Sequence, residues 1–397
     1  MKMSLVNSLK RSSVAHLLLA VNFFISGLAI NILQALLYVS LYKFSRHWYR
    51  IINQYLCYSL NCQFVFLAEW WSPSETILYI DKESLKKYYN KEHGCLIMNH
   101  SYEIDWLMGF LLCERIGILG NCKCYAKKSI QFIPTVGWTW KFAESVFLER
   151  NWDKDKEIIG RQITELANHP TPISLLLFAE GTRFTKEKHE ASLKYAEEHN
   201  LPRLQHLLSP RVKGFITSIP YMRNKFGAIY DVTLCVKESH PVAPTITSLL
   251  KAKYVEAHMY MQRIPLDEVP LDDEGASKWL HDLYIKKDKM IDSFKKTGSF
   301  FENSGVPPLE PFTLKRRWYS LLNSVGWALI TLPSVCYVLI SLLFSGSLFY
   351  FCIGVLLVAA ISYLFYLLIG LTKITKSSSY GKVLQNSNGT TKVSKTE

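Results

Sequence analysis

Hydrophobic residues are concentrated in long uncharged segments near both ends of the chain. Residues 17–42 contain no charged side chain. At about 1.5 Å per helical residue, such a segment is long enough to cross a hydrocarbon core of roughly 30 Å. Residues 318–372 are also uncharged, and a Ser-Gly-Ser turn at 345–347 divides them into two pieces. Each piece is about long enough to span, so the pattern predicts a transmembrane helical hairpin; the alternative is a buried hairpin of a soluble protein.

Basic residues flank the C-terminal uncharged segment on both sides. Lys315, Arg316 and Arg317 precede it, and Lys373, Lys376 and Lys382 follow it. Because Lys and Arg accumulate in cytosolic loops, both ends of the hairpin are predicted to be cytosolic. The first segment has balanced flanks, so its orientation stays open. A further apolar segment at 51–71 is interrupted by polar residues, which favours a position at the membrane interface or against protein.

Between these membrane segments, short apolar runs alternate with polar helical segments. Strands are predicted at 95–98, 146–148, 173–178 and 229–236, and helices at 153–168 and 277–297. This alternation is typical of an α/β domain with a mixed or parallel sheet. The predicted parts are N-terminal membrane-anchoring helices (1–72), an α/β domain (73–312), the transmembrane hairpin (313–376) and a disordered tail (377–397).

Charge and cysteine content narrow the class of protein. Of 397 residues, 49% are hydrophobic, yet the net charge is +13. A basic excess favours nucleic acid or an anionic membrane surface, and the long apolar segments favour the membrane. No RNA-binding signature is present, so no nucleic-acid partner is predicted. The nine cysteines form no pair with zinc-ligand spacing, so free thiols and no metal site are predicted.

The first candidate motif is Asn-His-Ser-Tyr-Glu-Ile-Asp at 99–105, directly after a predicted strand. A carboxylate at Asp105 is close enough in sequence to fold back onto one imidazole nitrogen of His100 and fix its tautomer. The other nitrogen is then free to take a proton from an attacking hydroxyl. The alternative is a polar turn at a strand end, with Asp105 capping a helix.

The second candidate motif is Glu180-Gly181-Thr182-Arg183, again after a strongly apolar run. Gly181 allows a ligand to approach the backbone closely, and the planar fork of Arg183 suits a phosphate. Glu180 is placed to orient that fork or a hydroxyl. The alternative is a solvated loop with an ordinary Glu–Arg pair.

Three further basic residues are candidates for phosphate binding. Arg150 follows the predicted strand 146–148, and Lys127 and Lys128 precede the aromatic segment 132–138. Lysines beside an apolar, aromatic run are suited to hold a phosphate at a membrane surface. The alternatives are a surface Arg and a general interfacial patch.

The order of these motifs, N-H-x-x-x-x-D, F-x-x-R and E-G-T-R, resembles that of the glycerolipid acyltransferase family. The chain looks most similar to the 1-acylglycerol-3-phosphate acyltransferases of the gamma/delta type. Segments that carry this similarity lie at 68–72, 137–140, 180–186, 228–234 and 378–381. Together with the membrane segments, the resemblance spans nearly the whole chain.

The resemblance implies a mixed-sheet acyltransferase domain between membrane helices. It implies acyl-CoA as co-substrate and lysophosphatidic acid as acceptor, which gives phosphatidic acid in phospholipid biosynthesis. His100 and Asp105 would be catalytic. The implied substrate-binding residues are Asn99, Lys127, Lys128, Arg150, Glu180, Gly181, Thr182 and Arg183. No cofactor or metal is implied, and the implied location is the endoplasmic reticulum, as an integral multi-pass protein in contact with membrane lipids.

Other functions stay open at this point. An acyltransferase of the same fold could use lysophosphatidylinositol, lysocardiolipin or another lysophospholipid. A lipid or thioester hydrolase is a second class, although the chain has no G-x-S-x-G elbow. A non-catalytic membrane scaffold or transporter is a third, but it gives the His/Asp and Glu-Gly-Thr-Arg motifs no purpose.

Overall fold

The central domain is built on one seven-stranded sheet in the computed structural model, which describes residues 5–149, 151–237 and 241–372. The strands are β1 Glu75–Tyr79, β2 His93–Met98, β3 Cys122–Lys127, β4 Val146–Leu148, β5 Ser174–Leu177, β6 Phe226–Cys235 and β7 Glu256–Pro265. Their spatial order is β1-β7-β6-β2-β5-β3-β4. Only β6 and β7 pair antiparallel; the other neighbouring pairs are parallel. The prediction of an α/β domain with a mixed sheet is confirmed.

Five neighbouring strands, from β6 to β4, run in the same direction. In the register, Ile97 of β2 pairs with Leu177 of β5, and Met98 pairs with Val232 of β6. The carboxyl ends of these strands therefore meet at one edge of the sheet, which is where ligand sites form in open α/β sheets. The strands are rich in buried apolar residues because helices cover both faces.

Thirteen α-helices occur in the described part of the chain. They are α1 Leu5–Lys10, α2 Ser13–Leu41, α3 Arg46–Phe66, α4 Lys82–Tyr88, α5 Asp105–Ile116, α6 Val136–Phe142, α7 Trp152–Ala167, α8 Lys186–Glu198, α9 Val212–Met222, α10 Ile246–Leu250, α11 Asp273–Thr297, α12 Tyr319–Leu343 and α13 Leu348–Thr372. A π-helical turn, Leu67–Trp71, extends α3, and short 3₁₀ turns lie at Leu119–Asn121, Lys128–Phe132 and Leu266–Glu268. The helices predicted at 153–168 and 277–297 correspond to α7 and α11.

Two described helices, α2 and α12, are long and apolar enough to cross a membrane by length and composition. Helix α13 follows α12 after a short turn in which Gly346 adopts a φ of 74°. Most of the apolar side chains of α12 are exposed at the protein surface, whereas α2 is partly buried. Such an exposed apolar surface fits contact with lipid.

The polar residues that interrupt the segment 51–71 turn into the protein. Asn53 and Gln63 are buried on α3, and Glu69 is fully buried in the π-helical turn. The Asn53 amide donates to the Phe142 carbonyl at 2.8 Å, and Glu69 accepts from the Arg115 guanidinium at 2.7 Å. Buried polar groups require such partners, which explains why this segment is not uniformly apolar.

Hydrogen bonds also join α12 to the N-terminal helices. The Thr331 hydroxyl donates to the side-chain oxygen of Asn22 on α2 at 2.8 Å. The Trp327 indole N–H donates to the Ser59 hydroxyl on α3, also at 2.8 Å. In an apolar environment such bonds hold helices together because water does not compete for them. The three helices therefore form one bundle.

Candidate active site

The two main motifs meet at the carboxyl edge of the sheet because β2 and β5 are neighbours. His100 lies two residues beyond the end of β2, and Glu180 lies three residues beyond the end of β5. The Phe184 N–H donates to the His100 carbonyl at 2.8 Å, which joins the two loops directly. The pairing of β2 with β5 thus brings His100 and Glu180 together, although they are 80 residues apart in sequence.

His100 and Asp105 form a hydrogen-bonded dyad. The Nδ1 atom of His100 lies 3.0 Å from Oδ2 of Asp105, which is fully buried at the start of α5. The Tyr102 N–H donates to both carboxylate oxygens, at 3.0 and 2.9 Å. Burial raises the pKa of Asp105, while the bonds from His100 and the backbone act in the opposite direction. The carboxylate is fixed, and it in turn fixes the imidazole.

The imidazole of His100 has a stacking contact on its ring face in addition to the hydrogen bond at Nδ1. Its ring stacks on Phe178 with centroids 4.1 Å apart and planes 20° from parallel. The side chain is 20% exposed. Since Nδ1 bonds to Asp105, Nε2 is the nitrogen available to a substrate hydroxyl, as general base catalysis requires.

Asn99, a predicted substrate-binding residue, bonds to the protein in this structure. Its side chain is fully buried. The amide Nδ2 donates to the Leu234 carbonyl at 3.0 Å, and Oδ1 accepts from the Leu234 N–H at 2.8 Å. The side chain thereby continues the pairing of β2 with β6 beyond Met98. It faces the sheet, and its effect on the site is to hold the backbone just before His100.

Glu180 likewise bonds to the protein and does not face outward. It is 1% exposed. Its Oε1 accepts the His100 N–H at 2.8 Å, and its Oε2 accepts the Leu208 N–H at 3.2 Å. Burial raises the pKa of this carboxyl group to about 8, although the two backbone donors oppose the shift. In this structure Glu180 therefore holds the His100 backbone, a role that differs from the predicted contact with Arg183 or a hydroxyl.

Gly181 is required for close packing with a protein side chain. It has a φ of 69°, and a Cβ at this position would lie 2.8 Å from Cδ of Arg211. The direction in which a Cβ would project is thus occupied by Arg211, whose backbone N–H donates to the Ala179 carbonyl at 2.7 Å, while Gly181 itself is exposed. Sequence reasoning missed Arg211, because a single Arg in a polar loop has no distinguishing pattern.

Thr182 and Arg183 form the partly exposed end of the second motif. The Lys188 ammonium donates to the Thr182 hydroxyl at 2.7 Å and to the Arg183 carbonyl at 3.2 Å. Lys188 was not singled out from the sequence either. With Arg211 packed against Gly181, three cationic residues surround this loop, and this concentration of positive charge suits an anionic ligand.

The other predicted basic residues lie farther from His100 along the same edge. Lys127 ends β3, which is separated from β2 by β5. Lys128 is about half exposed and forms an ion pair with Glu149. The structure does not bring these two lysines together with the dyad. Arg150 lies outside the described residues.

The arrangement supports proton transfer and anion binding by protein groups. A buried carboxylate orients the imidazole of His100, and the loop that carries Arg183 is joined to the His100 backbone. Among the residues that the structure describes, no group of three or more His, Cys, Asp or Glu side chains is placed to hold a metal ion. The chemistry available here is activation of a hydroxyl next to a negatively charged group.

Comparison with known proteins identifies the family. The acyltransferase family profile matches residues 78–236, and the profile of the acyltransferase C-terminus matches residues 248–327. Human 1-acyl-sn-glycerol-3-phosphate acyltransferase gamma is 39% identical over 379 residues, which are 96% of this chain and 98% of that protein. The chain belongs to the acyltransferase family. This confirms the resemblance drawn from the motifs, including its gamma/delta subgroup.

A further curated protein and one solved structure are also similar to this chain. Rat 1-acyl-sn-glycerol-3-phosphate acyltransferase delta is 37% identical over 381 residues, which are 96% of this chain and 98% of the rat protein. The crystal structure of the 1-acyl-sn-glycerophosphate acyltransferase PlsC from Thermotoga maritima is 14% identical, with a TM-score of 0.39, and covers 68% of this chain and 94% of that chain. The structural similarity is too low to inform the fold of this acyltransferase.

Proposed function

We propose that this acyltransferase moves a fatty acyl group from acyl-CoA to the sn-2 hydroxyl of lysophosphatidic acid, giving phosphatidic acid. The observation behind the proposal is the His100–Asp105 dyad beside a cationic loop that contains Arg183. Relatives across nearly the whole chain are named 1-acyl-sn-glycerol-3-phosphate acyltransferases, which supports the same acceptor here.

The proposed reaction is direct transfer without an acyl-enzyme. Nε2 of His100 takes the proton of the sn-2 hydroxyl as the oxygen attacks the thioester carbonyl carbon. The new C–O bond forms, the C–S bond breaks, and the imidazolium returns its proton to the departing CoA thiolate. Asp105 stabilises the imidazolium between these steps. General base catalysis of this kind contributes about 10²–10⁴-fold to the rate.

The acceptor phosphate is proposed to bind at the cationic loop beside the dyad. Arg183 offers a forked donor suited to a phosphomonoester. Lys188 holds the hydroxyl of Thr182 and the Arg183 carbonyl, so it fixes the loop and adds charge. Arg211 lies against Gly181 on the same loop. Arg150 remains a prediction from the sequence, and Lys127 and Lys128 are proposed only as contacts at the membrane surface.

The membrane arrangement proposed for this enzyme is an integral, multi-pass one in the endoplasmic reticulum. The exposed apolar surface of α12 and the short turn to α13 support a hairpin. The basic residues that flank it in the sequence support ends on the cytosolic side. Tags or single cysteines at Lys315 and Lys382 should both be accessible in sealed microsomes. Protection of only one of these positions would contradict the hairpin.

The acceptor is tested with purified protein, labelled oleoyl- or arachidonoyl-CoA and a panel of lysophospholipids. We expect the highest kcat/KM with lysophosphatidic acid. A preference for lysophosphatidylinositol or lysocardiolipin would replace the proposed acceptor but keep the reaction. Release of free fatty acid at the same rate with and without an acceptor would instead indicate a hydrolase.

A further inference from the structure

Helix α11, the last helix of the α/β domain, places a buried lysine beside the strands that lead into the active site. Lys287 is fully buried and pairs with the buried carboxylate of Asp231 on β6. Its ammonium also donates to two strand carbonyls, Ile97 of β2 at 3.1 Å and Val232 of β6 at 2.6 Å. Burial lowers the pKa of Lys287, and the charge of Asp231 opposes that shift. A single side chain thus joins α11 to both central strands.

These two carbonyls lie immediately before the catalytic loop. Ile97 is three residues before His100, and Val232 is the partner of Met98 in the strand register. One step farther along, Asn99 bonds to Leu234 through its side chain. Lys287 and Asn99 therefore form successive hydrogen-bonded links between β2 and β6. These links lie where the strand pairing ends and the His100 loop begins.

The next residue of the helix, Asp288, bonds to a second loop near the site, residues 205–208. Its two oxygens accept the N–H groups of Gln205 and His206, at 2.8 and 2.7 Å. The same loop continues to Leu208, whose N–H donates to Glu180. Glu180 in turn accepts the His100 N–H. Asp288 thus supports His100 through the loop and Glu180.

We propose that Lys287 and Asp288 are positioning residues for acyl transfer, which fix His100 from two sides through strand β2 and through the 205–208 loop. This inference rests on the proposed function. Stability alone is a weak reason for a buried ion pair, because pairs replaced by apolar residues often leave stability unchanged or higher. The contacts to Ile97 and to the 205–208 loop give these two charges a specific effect on the geometry of the site.

The chain offers a matched control in the neighbouring residue Lys286. Its ammonium also approaches Asp231, at 3.3 Å, and bonds to Gln262, but its side chain is 28% exposed. Among the described residues, its hydrogen-bond and ion-pair partners lie on β6 and β7, not on β2. Lys287→Met should lower kcat by about 10- to 100-fold, since small misplacements of catalytic groups have effects of this size. KM for both substrates should stay within about threefold. Lys286→Met should leave kcat within about twofold.

A double variant separates positioning from folding stability. Lys287→Met alone leaves Asp231 buried without its main partner, which destabilises the fold. In Asp231→Asn with Lys287→Met, that charge is removed, so the melting temperature should recover while kcat stays low. Asp288→Asn should lower kcat less than Lys287→Met. Recovery of wild-type kcat together with the melting temperature in the double variant would overturn the proposal.

Hydrogen exchange provides a readout that does not depend on activity. Peptides that cover residues 93–105 should exchange faster in Lys287→Met and in the double variant than in wild type or Lys286→Met. Unchanged exchange in this segment would also overturn the proposal. In one outcome, wild type transfers no acyl group to lysophosphatidic acid while residues 93–105 still exchange faster in Lys287→Met. That result would contradict the proposed function but would still support the stabilisation of the His100 loop by Lys287.

Discussion

The polar residues of the two motifs divide into a buried group and an exposed group. Asn99, Asp105 and Glu180 are at most 1% exposed, and each bonds to neighbouring protein groups. His100 and Arg183 are partly exposed at the strand-end edge of the sheet. Residues that are adjacent in sequence, such as Asn99 and His100, therefore have opposite roles.

The comparison shows how a polar site remains rigid inside an apolar fold. A buried polar group without a partner costs about 1–3 kcal/mol, so the buried group has few alternative arrangements. The exposed group lacks that constraint and depends on the buried one for its position. We therefore expect two kinds of result. Substitutions in the buried group should lower both the stability of the fold and the rate of acyl transfer, whereas substitutions in the exposed group should lower only the rate or the binding of substrate.

The largest effect is expected from His100→Ala. Loss of the general base should lower kcat by at least about 10²-fold. The melting temperature should change little, because the side chain is partly exposed and its backbone contacts to Glu180 and Phe184 are retained. Steady-state kinetics with a melting curve test both parts. Near-wild-type activity would contradict the mechanism, and a large fall in melting temperature would contradict the division into two groups.

Glu180→Gln is expected to lower both rate and stability. A glutamine has one acceptor oxygen, so one of the N–H groups of His100 and Leu208 loses its partner, at about 1–3 kcal/mol. We expect kcat to fall roughly 10-fold because the His100 backbone shifts. A variant that kept full stability but lost binding of lysophosphatidic acid would place Glu180 in the exposed group instead.

The pH dependence of stability sharpens this test of Glu180. Because its pKa is raised from 4.5 to about 8 in the folded state, folded protein holds a proton there that unfolded protein has released. The contribution of the protonated Glu180 carboxyl group to the free energy of unfolding is complete below pH 4.5. It is lost as the pH rises through about 8. The melting temperature of wild type relative to Glu180→Gln should therefore decrease from roughly pH 5 to pH 9.

Arg183→Lys should act mainly on binding of the acceptor. A charge-assisted hydrogen bond is worth about 1.5–3 kcal/mol, so KM for lysophosphatidic acid should rise about 10- to 150-fold. KM for acyl-CoA should change much less. Kinetics with each substrate varied in turn measure this difference. An equal loss toward both substrates, with a lower melting temperature, would make Arg183 a structural residue and weaken the case for a phosphomonoester acceptor.

The smallest effect is expected from Lys128→Ala. Lys128 is about half exposed, pairs with Glu149 and follows a strand that is not adjacent to β2. Exposed ion pairs contribute about 0–1 kcal/mol, so kcat/KM should stay within about threefold. A loss as large as that of Arg183→Lys, measured on the same vesicles, would extend the acceptor site across β5 to β3.

The sequence predicted four of the seven strands, because apolar runs that end in polar residues are local patterns, but it did not predict β1, β3 or β7. Strand 146–148 agrees fully, and helix α11 begins only four residues before its predicted start, where the Asp272 side chain caps Gly275. The direction of each polar side chain was not predictable. Asn99 and His100 are both polar strand-end residues, and only the pairing with β6 turns one of them inward.

Long-range partners account for the rest of what the sequence did not show. Lys287 lies in a helix rich in Lys and Asp, and such a pattern is typical of a solvated surface. Its burial depends on Asp231, which is 56 positions earlier in the chain. Arg211 and Lys188 were missed for the same reason: their positions beside Gly181 and Thr182 follow from loop packing, which has no local pattern.

The hydrogen bond between Thr331 and Asn22 has a consequence for the order of biosynthesis. The two residues are 309 positions apart, so at about 5–20 residues per second the ribosome reaches the second on the order of 15–60 s after the first. Throughout that interval the nascent helix α2 has a polar amide on its inner face whose eventual partner does not yet exist. The helical bundle therefore closes only at the end of translation, and a chain that terminates before α12 would leave this amide without its Thr331 partner.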